Sequence, residues 1–166
     1  MAPADPPSPD PSPLWLILVL GLIAGLSVPY DLGRQDVVNI NEVQRLLPAL
    51  EMRERADWVV PTIDGDPYLA KPPLIHWIVG AAYWVSRSDS PLAGRGAVAV
   101  ICLLVAWGVL AIGWREAGPR VGLWSAIILL SAYFFRQRAQ EVEIDPVLTA
   151  AVFGLVVWQW RAVTTT

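Results

Sequence analysis

The stretch Gly96–Trp114 reads GAVAVICLLVAWGVLAIGW, 19 residues without a charge. A helix needs about 20 mostly apolar residues to cross a bilayer core, so this run predicts a transmembrane helix over 94–114. Arg115, Glu116, Gly118, Pro119 and Arg120 follow as a compact polar turn. Val121–Phe135 and Pro146–Trp160 are apolar runs of 15 residues each, short for a full crossing. Arg120, Arg136 and Arg161 at their ends can snorkel to the interface, which predicts spans over 121–135 and 144–160. Upstream, Leu14–Tyr30 is a run of 17 uncharged residues with no Lys or Arg before it. A secretory signal would carry a basic leader, so a first span over 14–30 is expected, with Gly21 and Gly25 as a small-xxx-small step for a neighbouring helix. Trp15, Trp107, Trp114, Trp124, Trp158 and Trp160 lie near the ends of these runs, where an interfacial belt places them. The expected fold is an all-α integral membrane protein with about four transmembrane helices.

The whole composition agrees. Of the 166 residues 55% are hydrophobic and only 16% charged, nine are Trp, and the mean hydropathy is +0.47. A soluble domain carries about 25% charged residues. The single cysteine, Cys102, excludes an internal disulfide framework and a Cys-built zinc site. A net charge of −3 with no basic block leaves no footprint for nucleic acid. Residues 1–13 hold six prolines with Asp5 and Asp10, which predicts a disordered Pro-rich tail.

Between the first two expected spans lies a polar loop, residues 31–92. Asn39 or Asn41 can cap a helix running to about Ala56, with Ile40, Val43, Leu46, Leu47 and Leu50 on one side. Glu51 and Arg55 at i,i+4 would support it, whereas Pro48 predicts a kink or break. Asp64-Gly65-Asp66-Pro67 reads as a turn. Pro72–Val85, 14 apolar and aromatic-rich residues, suits a juxtamembrane segment better than another span. The loop has six basic and nine acidic residues over 62 positions. Positive-inside counting fades at that length, so charge leaves the orientation undecided.

Polar side chains held against a membrane are costly and mark candidate function. Asp36, Asn41 and Glu42 open the loop helix, where a carboxylate either serves as a base or merely complements the helix dipole. Lys71, the one lysine beside 11 arginines, is either a point charge for a phosphate or a snorkelling interfacial residue. Glu141, Glu143 and Asp145 alternate after Arg136 and Arg138. If extended they could share a divalent cation; as a solvated connector they would hold nothing. His76 has no second nitrogen ligand to accompany it and reads as a packing residue. Phosphate-cradling glycine loops, nucleophile elbows and zinc-protease motifs are missing from the sequence.

The order of these parts, with Leu50-Glu51-Met52, Asp57-Trp58-Val59-Val60-Pro61-Thr62, Gly65, Pro67-Tyr68-Leu69, Lys71-Pro72-Pro73-Leu74 and Trp77, resembles the multi-spanning GT-C glycosyltransferases that use polyprenyl-phosphate-linked sugars. These include the lipid A aminoarabinose transferases and protein O-mannosyltransferases. The resemblance covers roughly residues 14–163 and implies that the loop 31–92 is extracytoplasmic. Such enzymes open the loop helix with Asp-Glu, eleven and ten residues before the Met of the Glu-Met pair, which lands on Asn41 and Glu42. Asn41 thus stands at the position of the catalytic aspartate. The resemblance implies Asn41, Glu42 and Asp145 as catalytic positions and Lys71 as the lipid-phosphate cation; Glu42 or Asp36 is a candidate to substitute for the missing aspartate, and Arg138 is a further candidate phosphate cation. It implies no cofactor, and a divalent metal is left open.

The expected activity is transfer of a sugar from a polyprenyl-phosphate donor to a lipid, glycan or protein acceptor in the inner or plasma membrane. The amide at Asn41 and the chain length, against family members of about a dozen spans, raise an alternative: a catalytically inactive relative that binds lipid phosphate or acts as a scaffold. On either expectation 14–163 is the amino-terminal portion of a GT-C-like domain. The chain would then be a truncated product, half of a split protein or a diverged non-catalytic relative; its expected partners are the sugar donor and membrane lipids, with a second polypeptide supplying further spans in the split case.

Overall fold

The computed structural model describes residues 39–164, together with Leu18 and Gly21. The expected tail at 1–13, nearly all of the expected span at 14–30, and Asp36 lie outside the described residues. The elements are α1 (Ile40–Arg55), β1 (Thr62–Ile63), β2 (Asp66–Pro67), α2 (Leu74–Ser86), α3 (Pro91–Ala117), α4 (Pro119–Ser131), α5 (Tyr133–Arg138) and α6 (Asp145–Thr164). The fold is all-α apart from the two-residue strands.

Helix α1 begins where local chemistry asks it to. Asn39 is extended and its side chain accepts the Asn41 N–H at 3.0 Å, satisfying one of the orphan donors of a first turn. Ala56 closes the helix in the left-handed region with φ 53°. The expected break at Pro48 does not occur; the helix runs through it. Pro48 is buried, and Leu46, Ala49 and Met52 beside it are buried too, so packing offsets the lost backbone hydrogen bond. Glu51 does not simply face Arg55. It accepts from the Thr62 hydroxyl and from the backbone N–H groups of Asp64 (2.7 Å) and Gly65 (3.3 Å), while Arg55 donates to the same Thr62 oxygen at 2.9 Å. The turn expected at 64–67 is a two-residue hairpin pairing Thr62 with Pro67. Both loop residues, Asp64 (φ 54°) and Gly65 (φ 84°), are left-handed, the form that matches strand twist. The hairpin is thereby strapped onto α1.

Helices α1, α2 and α3 share one core of Leu46, Ala49, Ile75, Val79, Tyr83 and Val98, joined by Val142 from the segment before α6. Further along, α3 and α4 form an antiparallel pair around Ala106, Leu110, Ala126 and Leu130. Their approach is close enough that a Cβ on Gly122 would lie 2.5 Å from the Leu110 carbonyl oxygen.

Among the described residues two helices, α3 with 27 residues and α6 with 20, are long and apolar enough to cross a membrane. In α6 the most apolar window is 0% buried. An exposed apolar surface of that kind gives weak support for association with a membrane. The expectation of about four crossings is met only in part. The third expected span is broken: α4 has 13 residues, roughly 20 Å at 1.5 Å per residue, and Ala132 turns extended before α5. At that point the Ser131 hydroxyl donates to the Ile128 carbonyl at 2.9 Å, a local bond that competes with the helix ladder.

Candidate functional site

Four elements meet at one end of α6. The first two turns of α1 contribute Asn41 and Arg45, the segment before α2 contributes Lys71, the end of α5 contributes Arg138, and the approach to α6 and its first residue contribute Glu143 and Asp145. Together they line a polar cleft of about 560 Å³. Asn41, Lys71, Arg138 and Asp145 were candidates from sequence, and they converge. Asp36 lies outside the described residues.

Glu42 is elsewhere. Consecutive helix positions point about 100° apart, so a residue next to Asn41 cannot share its face. Glu42 points inward, 2% exposed, onto Arg95, 4% exposed. The pair is bidentate, with Arg95 Nε and Nη2 donating to the two carboxylate oxygens at 2.7 and 2.8 Å. Glu42 Oε1 also accepts the Val142 N–H at 3.2 Å. One carboxylate therefore joins α1, α3 and the segment leading into α6, and so sets the shape of the cleft without lining it.

The alternating acids take up Arg138. Glu141, Glu143 and Asp145 lie 3.8, 3.5 and 3.5 Å from its guanidinium nitrogens. A cation sits where sequence left a divalent metal open, and among the described residues no group of three His, Cys, Asp or Glu side chains is placed to hold a metal ion. Burial pushes the Glu143 carboxyl above its ordinary range, opposed by the positive charges of Arg45 and Arg138. With Arg138 occupied, Arg45 and Lys71 are the cations that remain for a ligand. Lys71 is exposed and forms no ion pair among the described residues.

Sequence reading missed Arg45 and Arg95. Arg45 had a signal: it stands at i+4 from Asn41 and so shares its face. Arg95 had none, since its partner is 53 positions away. Arg45 is 4% exposed. It donates to the Tyr68 hydroxyl at 3.4 Å, and Tyr68 in turn donates to Gln44 at 3.3 Å. Behind it lies His76, fully buried, whose Nδ1–H donates to the Arg45 carbonyl at 3.2 Å. Since a carbonyl only accepts, Nδ1 carries the proton and Nε2 is a bare acceptor in the neutral ring. His76 Nε2 and Arg45 Nε find no partner among the described residues.

Burial, aided by the positive charge of Arg45, holds the His76 pKa below its ordinary 6.5, against the hydrogen bond to the Arg45 carbonyl. The unfolded chain therefore takes up a proton near pH 6.5 that the folded chain refuses, and stability falls as pH drops through that value toward the lowered folded pKa. Glu143, raised in the fold, works in the opposite sense: it is more proton-hungry when folded and adds stability as pH falls. The two separate by mutation. In detergent-micelle unfolding from pH 7.5 to 5, His76→Phe is expected to lose the acid-side decline that the parent shows. An unchanged slope would remove His76 from this role.

No protein-family model matches the chain, and no solved structure matches it either.

Proposed function

We propose that this chain is a multi-pass protein of the inner or plasma membrane, and that its cleft serves a glycosyltransferase using a polyprenyl-phosphate-linked sugar. The observation that supports this is the convergence of Asn41, Lys71, Arg138 and Asp145 on one polar cleft beside apolar surface that suits an isoprenoid chain. In this reading the acceptor hydroxyl oxygen forms a bond to the anomeric carbon. The bond from that carbon to the phosphate oxygen breaks, with its electron pair leaving on the polyprenyl phosphate and the configuration inverting. Asp145, 65% exposed at its side chain and 3.5 Å from Arg138, takes the hydroxyl proton. Lys71 steadies the departing phosphate, and positioning with charge stabilisation carries the rate.

Asn41 favours a second reading, a lipid-phosphate-binding protein without turnover, because an amide does not accept a proton in this pH range. Both readings require that purified protein in nanodiscs retain a polyprenyl phosphate. Lys71→Ala should weaken that binding roughly tenfold, about the worth of one charge-assisted hydrogen bond. Asn41→Asp should raise sugar transfer if a weakened enzyme is present. Binding with no transfer in either form selects the second reading, and no binding at all rejects both.

A further inference from the structure

We infer that Arg45, rather than Arg138, is the partner of Lys71 in holding a phosphate group in this cleft, and that it is the stronger of the two anchors. The inference rests on the reading of the cleft given above, and names the residue that would do most of the gripping.

Three observations carry it. Arg45 lines the cleft and is 4% exposed, yet its Nε–H has no acceptor among the described residues. A buried guanidinium with an idle donor is costly in free energy, and an oxyanion relieves that cost. Next, Arg138 is held within 4 Å by Glu141, Glu143 and Asp145, whereas Arg45 feels the Glu143 charge without a direct ion pair among the described residues, and the hydrogen bond it makes through its guanidinium is a long one to the Tyr68 hydroxyl, 3.4 Å. Last, the backbone beneath Arg45 is fixed, because His76 Nδ1–H ties its carbonyl to α2. A planar guanidinium held in this way meets two phosphate oxygens at once, whereas a flexible, exposed ammonium meets them as a point charge. The shared chemistry is a phosphate group, carried on a lipid or free.

The test compares the parent protein, Arg45→Met, Arg45→Lys and Lys71→Ala in lipid nanodiscs, reading the binding of undecaprenyl phosphate and the melting temperature. Undecaprenyl phosphate should raise the melting temperature of the parent, as any ligand of the folded state does. Arg45→Met should lose on the order of 30-fold in affinity, more than Lys71→Ala, with an unliganded melting temperature at or above that of the parent. A purely structural arginine would lower it. Arg45→Lys, which keeps the charge and loses the fork, should fold and bind at least fivefold more weakly than the parent. Inorganic phosphate added in excess identifies the source: competition indicates a site for the free anion as well, and its failure to compete assigns the site to the lipid headgroup. Parent-like affinity in Arg45→Lys and Arg45→Met overturns the assignment while leaving the proposed site standing. So does an Arg45→Met protein that no longer folds. A parent protein that binds neither phosphate overturns both.

Discussion

Glu42→Ala should cost on the order of 3 kcal/mol or more in unfolding free energy, a loss typical of removing one partner of a buried ion pair. Domain stabilities run to about 5–15 kcal/mol, so a change of this size would deplete the folded population visibly. The structural reason is the placement of the carboxylate. It receives two charged hydrogen bonds from Arg95 and a third from the Val142 N–H, at 2% exposure. Unfolding in graded denaturing detergent provides the measurement. Adding Arg95→Met to Glu42→Ala should recover part of the loss, because it removes the buried charge that Glu42→Ala deprives of its carboxylate. Strictly additive single losses, or a Glu42→Ala cost below about 1 kcal/mol, would contradict the clamp. The same experiment bears on function. If Glu42 holds α1, α3 and the approach to α6 in register, ligand binding and stability decline together in Glu42→Gln, whereas Lys71→Ala loses binding alone.

The second large effect is steric. In Gly122→Val a Cβ would sit 2.5 Å from the Leu110 carbonyl oxygen and 2.6 Å from the Trp114 backbone nitrogen. Those are backbone atoms of α3 and cannot swing aside, so α3 and α4 must separate. A Cβ on Gly113 would meet Gly122 Cα at 2.8 Å, so the crossing depends on both glycines. A destabilisation of about 3 kcal/mol is expected, at the upper end of overpacking costs. Gly154 in α6 is the control. Nothing lies within 4 Å of its added Cβ, and Gly154→Ala should be neutral or stabilise by up to about 1 kcal/mol through helix propensity. Equal effects at 122 and 154 would refute the close approach.

Features decided within a few residues are legible in the amino-acid order itself. The uncharged run from Gly96 lies inside α3, because length and apolarity are local properties. The cap at Asn39 and the end of α1 near Ala56 follow from side-chain oxygens and helical periodicity. Asp64-Gly65-Asp66-Pro67 announces a turn, which the structure closes as a hairpin with positive φ at Asp64 and Gly65. Other expectations give way to packing. Pro48 is expected to interrupt α1, yet the core around Leu46 and Ala49 holds the helix through it. The run 121–135 looks like one helix and is two, divided at Ala132.

The candidate site divides along the same line. Residue types together with the family resemblance mark Asn41, Lys71, Arg138 and Asp145 as candidates, and the cleft collects all four. The roles of Glu42 and Arg45 are not readable in this way, because adjacent letters on a helix face different ways and the chain does not state what each will meet. From the letters alone come the apolar lengths, the caps, the turn and the shortage of charge, all set by interactions spanning a few positions. The pairing of Glu42 with Arg95, the capture of Arg138 by three acids and the idle donor of Arg45 come from how whole helices rotate and slide against one another. That arrangement depends on contacts tens of residues apart, which no local pattern encodes.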